Sequence, residues 1–543
     1  YTSQYTLSLH DALPISSKPL AVMMPDIETV RRFCHLGPAE QELLASPRRP
    51  ILLLESKQEN GLSPALAPGQ STLGVMLPYT PLHYLLFSRE DRWPDVPYQA
   101  LVMTSGNHSN QPIVTTNQEA LRELGSIVDG YLFHNRDIHV HCDDSVTRIH
   151  RGQPYPLRRS RGYAPFPVSL PREGPSILAA GSELKNTFCG VKGNLAFLSQ
   201  HIGDLENYPT LETFQDSLEH FKQLFRFQPQ VLAYDLHPDY LASRYARSRA
   251  REEGLTAVGV QHHHAHIASL LAEHGHPGRT PVIGCSFDGT GYGDDGHIWG
   301  GEVLLADYGG YHRAYHLRYA PLPGGDLAVK EPWRFALSWL EQAGIDWDPS
   351  LPPVSQAREQ SAASGFDLLS ILRSQLEKGT NAPLTSSMGR LFDAVSALIG
   401  VRQVTDYEAQ AAIELEALAL DREASTYPFH IRDDIIDPTP LIGAVVQDVK
   451  DGVPVGVIST RFHNSVAQMV LEVCSALREE HNLDLVALSG GVWQNMRLLE
   501  RTRQLLDADH FDVLTHSRVP ANDGGLALGQ AVIAQDFVLQ KGD

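Results

Sequence analysis

The feature that most constrains the fold is alternation. From Ser17 to about Pro165, short β-rich runs and helical patterns take turns, separated by breaks that contain proline or glycine. "PILLLE" (Pro50–Glu55) is a continuous apolar run too short for a helix and reads as a buried strand. "LGVMLPYTPLHYLLF" (Leu73–Phe87) reads as a strand, a proline turn and a short helix, and "YQALVMTSGNHSNQPIV" (Tyr98–Val114) as a strand entering a polar turn. "NQEALRELGSIVD" has the spacing of an amphipathic helix. Strands that alternate with helices predict an α/β domain. The Pro-rich stretch "YAPFPVSLPREGPS" (Tyr163–Ser176) favours extended backbone and blocks helix entry. It predicts a first domain over 17–165, a linker over 166–176 and a second domain over 177–543.

The second domain opens on a hairpin pattern, "ILAAGSELKNTFCGVKGNLAFLSQHIGDL", and carries another at "PVIGCSFDGTGYGDDGHIWGGEVLLADY" (Pro281–Tyr308), where apolar strands flank a Gly/Asp turn. The last third is helical ("FDAVSALIG", "SVAQMVLEVCSALREEHN") and closes with a strand, "LVALSGG", and a helix, "GGLALGQAVIAQD". Two strand-rich cradles followed by helices suggest a duplicated α/β nucleotide-binding architecture, although the halves do not repeat cleanly.

Composition narrows the class. With 543 residues, 42% hydrophobic and 20% charged, the chain is long enough for several cores. No run approaches the roughly 18 consecutive apolar residues of a membrane span. A net charge of -20 argues against a general nucleic-acid-binding surface. Five scattered cysteines without a CxxC pair suggest no disulfide framework, so a reducing, cytoplasmic setting is expected. Residues 1–16, "YTSQYTLSLHDALPIS", lack an initiator Met, a basic region and a long apolar core, and make a poor signal peptide. They resemble a translated sequencing adapter and are expected to be a non-native leader, a short native strand being the alternative.

Five short stretches could carry chemistry. In "VQHHHAHIASLL" (Val260–Leu271), His262 and His266 stand at i and i+4, so on a helix they share one face and can grip one ion. His263 and His264 point elsewhere. Imidazole suits Fe, Zn, Ni or Cu rather than Mg²⁺. An isolated pair also fits exposed polar residues at a helix start. "SFDGTGYGDDG" (Ser286–Gly296) can cradle phosphate on backbone N–H groups while Asp288 or Asp294 holds Mg²⁺, or can be ordinary turn chemistry. In "ALSGGVWQNMRLLERT" (Ala487–Thr502) a strand ends in glycines before a helix, which favours an anion, and Asn495 could bond a ribose or base; a tight turn is the alternative. Asp523 in "PANDGGLALGQA" is a helix cap or a metal ligand. "RRSRGYAP" (Arg158–Pro165) and "TSGNHS" (Thr104–Ser109) supply Arg158, Arg161, Ser105 and Asn107 for phosphate and small-molecule contacts, or a solvated basic loop.

In order along the chain, "GSELKNTF", "SQHIGDL", "VQHHHAHIAS", "DGTGYGDDGHIWGGE", "SSMGRLFDAVSALIG", "YEAQAAIELE", "SGGVWQNMRLLE" and "NDGGLALGQA" resemble the HypF carbamoyltransferases of [NiFe] hydrogenase maturation. The resemblance covers essentially residues 17–543. It implies a YrdC-like α/β domain followed by a domain similar to TsaD, the threonylcarbamoyl-transfer protein of tRNA modification, with the actin/sugar-kinase-like duplicated α/β fold. It implies His262, His266 and Asp523 as ligands of one divalent transition metal, Fe or Zn. Gly490, Gly491, Asn495, Gly289 and Gly291 fall where nucleotide binds, as do Ser105, Asn107, Arg158 and Arg161 in the first domain. Lys185 and Asp288 lie on the phosphate side as catalytic candidates.

The implied reaction takes carbamoyl phosphate and ATP with Mg²⁺, forms carbamoyl-adenylate, and delivers the carbamoyl group to the C-terminal cysteine of HypE for cyanide-ligand synthesis. The attacking thiol then belongs to the partner, which fits the missing nucleophile motif. The sequence shows neither the family's acylphosphatase-like segment nor its CxxC zinc modules. The YrdC-like part begins late, and "VHCDDSV" has His141 where Arg is expected. A truncated chain with an impaired adenylate-forming half is therefore expected. Alternatives are an O-carbamoyltransferase of small-molecule biosynthesis, for which the opposite domain order is expected, and a non-catalytic nucleotide-binding scaffold.

Overall fold

A computed structural model describes residues 18–57, 61–88, 98–108, 111–136 and 138–542. Residues 1–16 and Ser109 of the polar turn lie outside the described residues. The described residues form two compact units: one runs up to Val260 and resumes at His516, and the other spans Gln261–Thr515. The stretch 177–543, expected to be one domain, is thus shared between two units.

The first unit holds two sheets. The first contains β1 (Ala21–Met23), β2 (Ile51–Glu55), β3 (Thr72–Met76), β4 (Leu101–Met103), β5 (Val146–His150) and β6 (Gln153–Arg158), in the order β4-β1-β3-β2-β5-β6. It is mixed: β1 runs parallel to β3 and antiparallel to β4. The strand at "PILLLE", the strand-turn-helix at Leu73–Phe87 and the alternation of elements match the reading of the sequence. The amphipathic helix is shorter than its pattern, Asn117–Glu123, and starts on a capping box in which Thr116 and Glu119 satisfy each other's backbone N–H.

The second sheet contains β7 (Val168–Ala179), β8 (Cys189–Leu198), β9 (Val231–Asp235) and β10 (Thr256–Val260), in the order β10-β9-β7-β8. Here the 166–176 linker is corrected: all but its first two residues belong to β7. Prolines are tolerated because the β7–β8 ladder slips between Ser169 and Gly174 and again between Gly174 and Ile177, the two gaps that hold Pro171 and Pro175. Helix α1 (Tyr208–Phe225) covers this sheet through edge-to-face contacts of Phe188 with Phe214 and Phe221, beside α2 (Leu241–Glu253).

The second unit opens with α3 (His262–Glu273) and is built on a nine-stranded sheet. Its centre is β11 (Val282–Tyr292), antiparallel to β12 (Ile298–Ala306), which continues to β13 (Tyr311–Leu317). On its other side β11 runs parallel to β14 (Leu485–Ser489). Helices α4 (Met388–Leu398), α5 (Val455–His481) and α6 (Met496–Ala508) follow the expected helical pattern of the last third. The closing helix α7 (Leu526–Gly542) returns to the first unit, where the side chain of Gln530 exchanges hydrogen bonds with the backbone of Gly181 at 2.9 and 3.1 Å.

Candidate functional site

Helix α3 starts immediately after β10, with Gln261 as its cap: the Gln261 side chain accepts from His264 N at 2.9 Å. One helical turn then stacks His262 under His266, with ring centroids 4.9 Å apart and both side chains 1% exposed. Asp288 meets them from β11. Its Oδ2 lies 2.8 Å from His266 Nε2 and 3.7 Å from His262 Nε2, and donor atoms of the three residues lie within 4.8 Å of one another. Two imidazole nitrogens and a carboxylate oxygen are a donor set for a borderline divalent ion such as Fe or Zn. The sequence reading placed Asp288 on the phosphate side, apart from the histidines; the structure packs it against them.

His263 and His264 point away from the pair. Both are buried and packed. His264 Nε2 reaches the Asp307 carbonyl at 2.6 Å. His263 sits between Trp299 and Gly291, and burial followed by the neighbouring His262 pushes its pKa well below the ordinary histidine value. Gly291 owes its identity to this packing: a Cβ there would stand 2.4 Å from His263 Cε1 and 2.9 Å from His262 Cδ2.

The Gly/Asp stretch divides in two, and its Gly293–Gly296 end is the ordinary turn at the hairpin tip. There Gly293 N bonds the His297 carbonyl at 2.9 Å. Asp288 occupies a bulge of the β11–β12 ladder between Phe287 and Gly291. Its Oδ1 accepts from Gly289 N at 2.8 Å. The Gly490–Gly491 turn after β14 closes on the same bulge. Gly490 has φ +104° and leaves no room for a Cβ, which would lie 2.2 Å from the Phe287 carbonyl. A Cβ on Gly491 would lie 2.9 Å from Asp288 Oδ1. Two glycine motifs far apart in sequence therefore converge on one carboxylate. Asn495 has the plainer role: its Oδ1 accepts from Leu498 N at 2.9 Å as the cap of α6, and its Nδ2 stands 2.9 Å from His463 Nε2. Burial drives the His463 pKa down to about 4, and its Nδ1 lies 2.7 Å from the Ser459 carbonyl, so the neutral ring donates there and accepts from Asn495.

In the first unit the β7–β8 connection cradles the loop of Asp523. Ser182 Oγ donates to Asp523 Oδ2 at 2.7 Å, and Thr187 Oγ1 donates to the Gly524 carbonyl at 3.1 Å. Lys185 lies at the crest of that connection with φ +48°, its backbone N–H held by Asp204 Oδ1 at 2.8 Å. Asn522 Nδ2 donates to the Leu157 carbonyl at 3.0 Å, one residue before Arg158. Arg158 pairs with Asp143 at 2.8 Å. His201, which the sequence reading passed over inside "SQHIGDL", has its pKa lowered to about 4 by burial first and then by Arg158, with Asp143, Asp204 and Lys185 also acting on it. Lys185 and Arg158, assigned to separate domains, thus share one charged neighbourhood.

Arg161 is already occupied. Its Nε meets Asp144 at 2.6 Å, its Nη2 meets the Arg49 carbonyl at 2.7 Å, and its plane lies 3.4 Å from the Tyr79 ring centroid. Ser105 and Asn107 bond to each other, and Asn107 Nδ2 donates to the Gln111 carbonyl at 2.7 Å, which shapes the turn after β4.

Comparison with known proteins agrees with this layout. Residues 11–160 match the Sua5–YciO–YrdC family, described as telomere recombination. Residues 172–273 match the HypF Kae1-like domain, and residues 284–530 match the second subdomain of the carbamoyltransferase Kae1-like domain. The carbamoyltransferase HypF of Rhodobacter capsulatus is 42% identical over 95% of this chain and 67% of its own length. Carbamoyltransferase HypF2 of Cupriavidus necator is 38% identical over 95% and 67%. The chain spans about two thirds of the length of these curated relatives. A crystal structure of full-length HypF in the phosphate- and nucleotide-bound form superposes with TM-score 0.88 at 43% identity, over 96% of this chain and 79% of that one. HypF of T. kodakarensis gives TM-score 0.88 at 34% identity, over 96% and 68%. A YrdC-like sheet, a Kae1-like pair of α/β halves and relatives across nearly the whole chain lead to one conclusion: the chain belongs to the HypF family of carbamoyltransferase enzymes.

Proposed function

We propose that this chain transfers a carbamoyl group from carbamoyl phosphate, through carbamoyl-adenylate, to the C-terminal cysteine of HypE during [NiFe] hydrogenase maturation. The observation that carries the reading is the convergence of His262, His266 and Asp288 beside two glycine turns. In this reading Asp288 serves as a ligand together with the two histidines rather than as a separate catalytic carboxylate, and Ser182 orients Asp523. A bound Fe or Zn ion supplies Lewis acidity toward an oxygen of the reacting group. Ser105, Asn107 and Arg158 serve the adenylate-forming half with Mg²⁺-bound ATP, while Lys185 offers a cation to the phosphate side. Gly289, Gly490 and Gly491 leave the backbone open to the nucleotide.

The chemistry balances without a nucleophile from this chain. The partner's thiolate attacks the carbamoyl carbon, the bond to the adenylate oxygen breaks, and AMP leaves with the electron pair. Fixed N–H groups and cations around the phosphate stabilise the developing charge.

The test supplies labelled carbamoyl phosphate, Mg²⁺-ATP and HypE to this chain. Label on the C-terminal cysteine, with AMP, pyrophosphate and the inorganic phosphate of carbamoyl phosphate released, is expected. Label that appears without ATP, or only on a hydroxyl acceptor, contradicts the reading.

A further inference from the structure

The motif "SSMGRLFDAVSALIG" packs directly on the Asp288 bulge. Ser387 caps α4 and places its Oγ 2.8 Å from the carbonyl oxygens of both Asp288 and Gly289, while accepting from Arg390 N at 3.1 Å. The approach is so close that a Cβ on Gly389 would stand 2.9 Å from Gly289 Cα. This brings Arg390 over the bulge: a Cβ on Gly289 would lie 3.0 Å from its Nη2. The Arg390 side chain is 9% exposed, and its Nη1 pairs with the buried Asp393 at 2.6 Å. Its Nε has no hydrogen-bond partner among the described residues.

A single carboxylate engages one end of a guanidinium whose planar fork offers five donors. Burying a cation with donors left over is costly unless a ligand takes them. Gly289 is half-buried and Thr290 exposed, so the bulge is open to a ligand on that side. The first turn of α4 adds a favourable dipole for an anion.

We propose that Arg390 is an anion-binding residue of this site, taking phosphoryl oxygens of a nucleoside phosphate seated on the Asp288–Gly289 bulge. The inference rests on the functional reading above and deepens it. Asp393 then acts as a positioning residue that holds the fork in place, and Gly289 keeps the space between backbone and guanidinium clear.

Cobalt(II) loaded at the His262–His266–Asp288 cluster gives a visible spectrum local to the site and independent of turnover. In the parent chain AMP is expected to shift the cobalt bands, and adenosine to leave them unmoved. Arg390→Gln is expected to raise the half-saturating AMP concentration about 10-fold or more, the scale of one charge-assisted contact. The double variant Arg390→Gln/Asp393→Asn removes both charges, leaves no unpaired buried carboxylate, and is expected to show the same loss if the single variant folds poorly. Unchanged AMP half-saturation in these variants, with normal cobalt spectra, overturns the proposal alone. A parent chain that gives no cobalt bands, or bands that AMP does not move, overturns the functional reading and the proposal with it.

Discussion

At the scale of single residues, the histidine helix separates ligands from packing. His262→Ala, His266→Ala and Asp288→Asn each remove a donor and are expected to lower metal affinity by more than 100-fold, read as metal per chain after dialysis. Ser182→Ala removes only the hydrogen bond that orients Asp523. It is expected to cost about 1–3 kcal/mol of stability, the scale of one buried hydrogen bond to a charged group, in urea melts. His263→Ala leaves the metal stoichiometry unchanged and costs roughly 2–4 kcal/mol of stability through the cavity beside Trp299; parallel metal analysis and urea melts check both halves. The i, i+4 pair was legible in the sequence because helical period alone sets which rings face together. Asp288 was legible as a chemically active carboxylate but not as a partner of the histidines. Its place depends on the bulge in β11, and a DG step looks the same in a turn and in a bulge.

At the scale of elements, the glycines show how strands and helices are brought close enough to make a site. Gly291→Ala drives a methyl group into His263 and His262. It is expected to cost about 1–3 kcal/mol, as overpacking does, and to weaken metal binding at the same time; a variant that keeps both stability and metal affinity contradicts this packing. The α5–α6 junction carries a pH signature. His463 has a folded-state pKa of about 4 against an ordinary value of 6.5, so only the unfolded chain gains a proton between those values. Its contribution is present above about pH 6.5 and is lost as pH falls toward 4. The stability advantage of the parent over His463→Gln should therefore be largest at neutral pH and shrink on acidification, by an amount of order 3 kcal/mol, in denaturant melts across that range. Comparison with the variant cancels the opposite slope of Asp393, whose pKa burial raises to about 6. Strands and long helices were legible from periodicity. The stretch 166–176 was misread because proline signals a break, whereas Pro171 and Pro175 fall in the two interruptions of the β7–β8 ladder. Asn495 could not be told apart in the sequence, since a cap and a ribose ligand ask for the same side chain at the same helix start.

At the scale of the molecule, the chain order hides which residues work together. The alternation of elements indicated an α/β architecture, and the order of the motifs indicated the family. Neither showed that the chain returns after Thr515 to pack α7 on the sheet of β7, β8 and β9. That return seats the Asp523 loop on Ser182 and Thr187 and ties Asn522 to the end of β6, beside Arg158. Arg158 and the Asp523 loop are thereby neighbours within one unit, although 365 positions separate Asn522 from Leu157. Such closure follows from tertiary packing, and no local pattern announces it. In the proposed reading one transition-metal ion is held by His262, His266 and Asp288. Metal-edge X-ray absorption on the zinc- or iron-loaded chain tests it most directly. The expected first shell has two imidazoles with oxygen donors, one imidazole fewer in His266→Ala, and one oxygen fewer in Asp288→Ala. A first shell that keeps the same two imidazoles in a His262→Ala/His266→Ala double variant contradicts it.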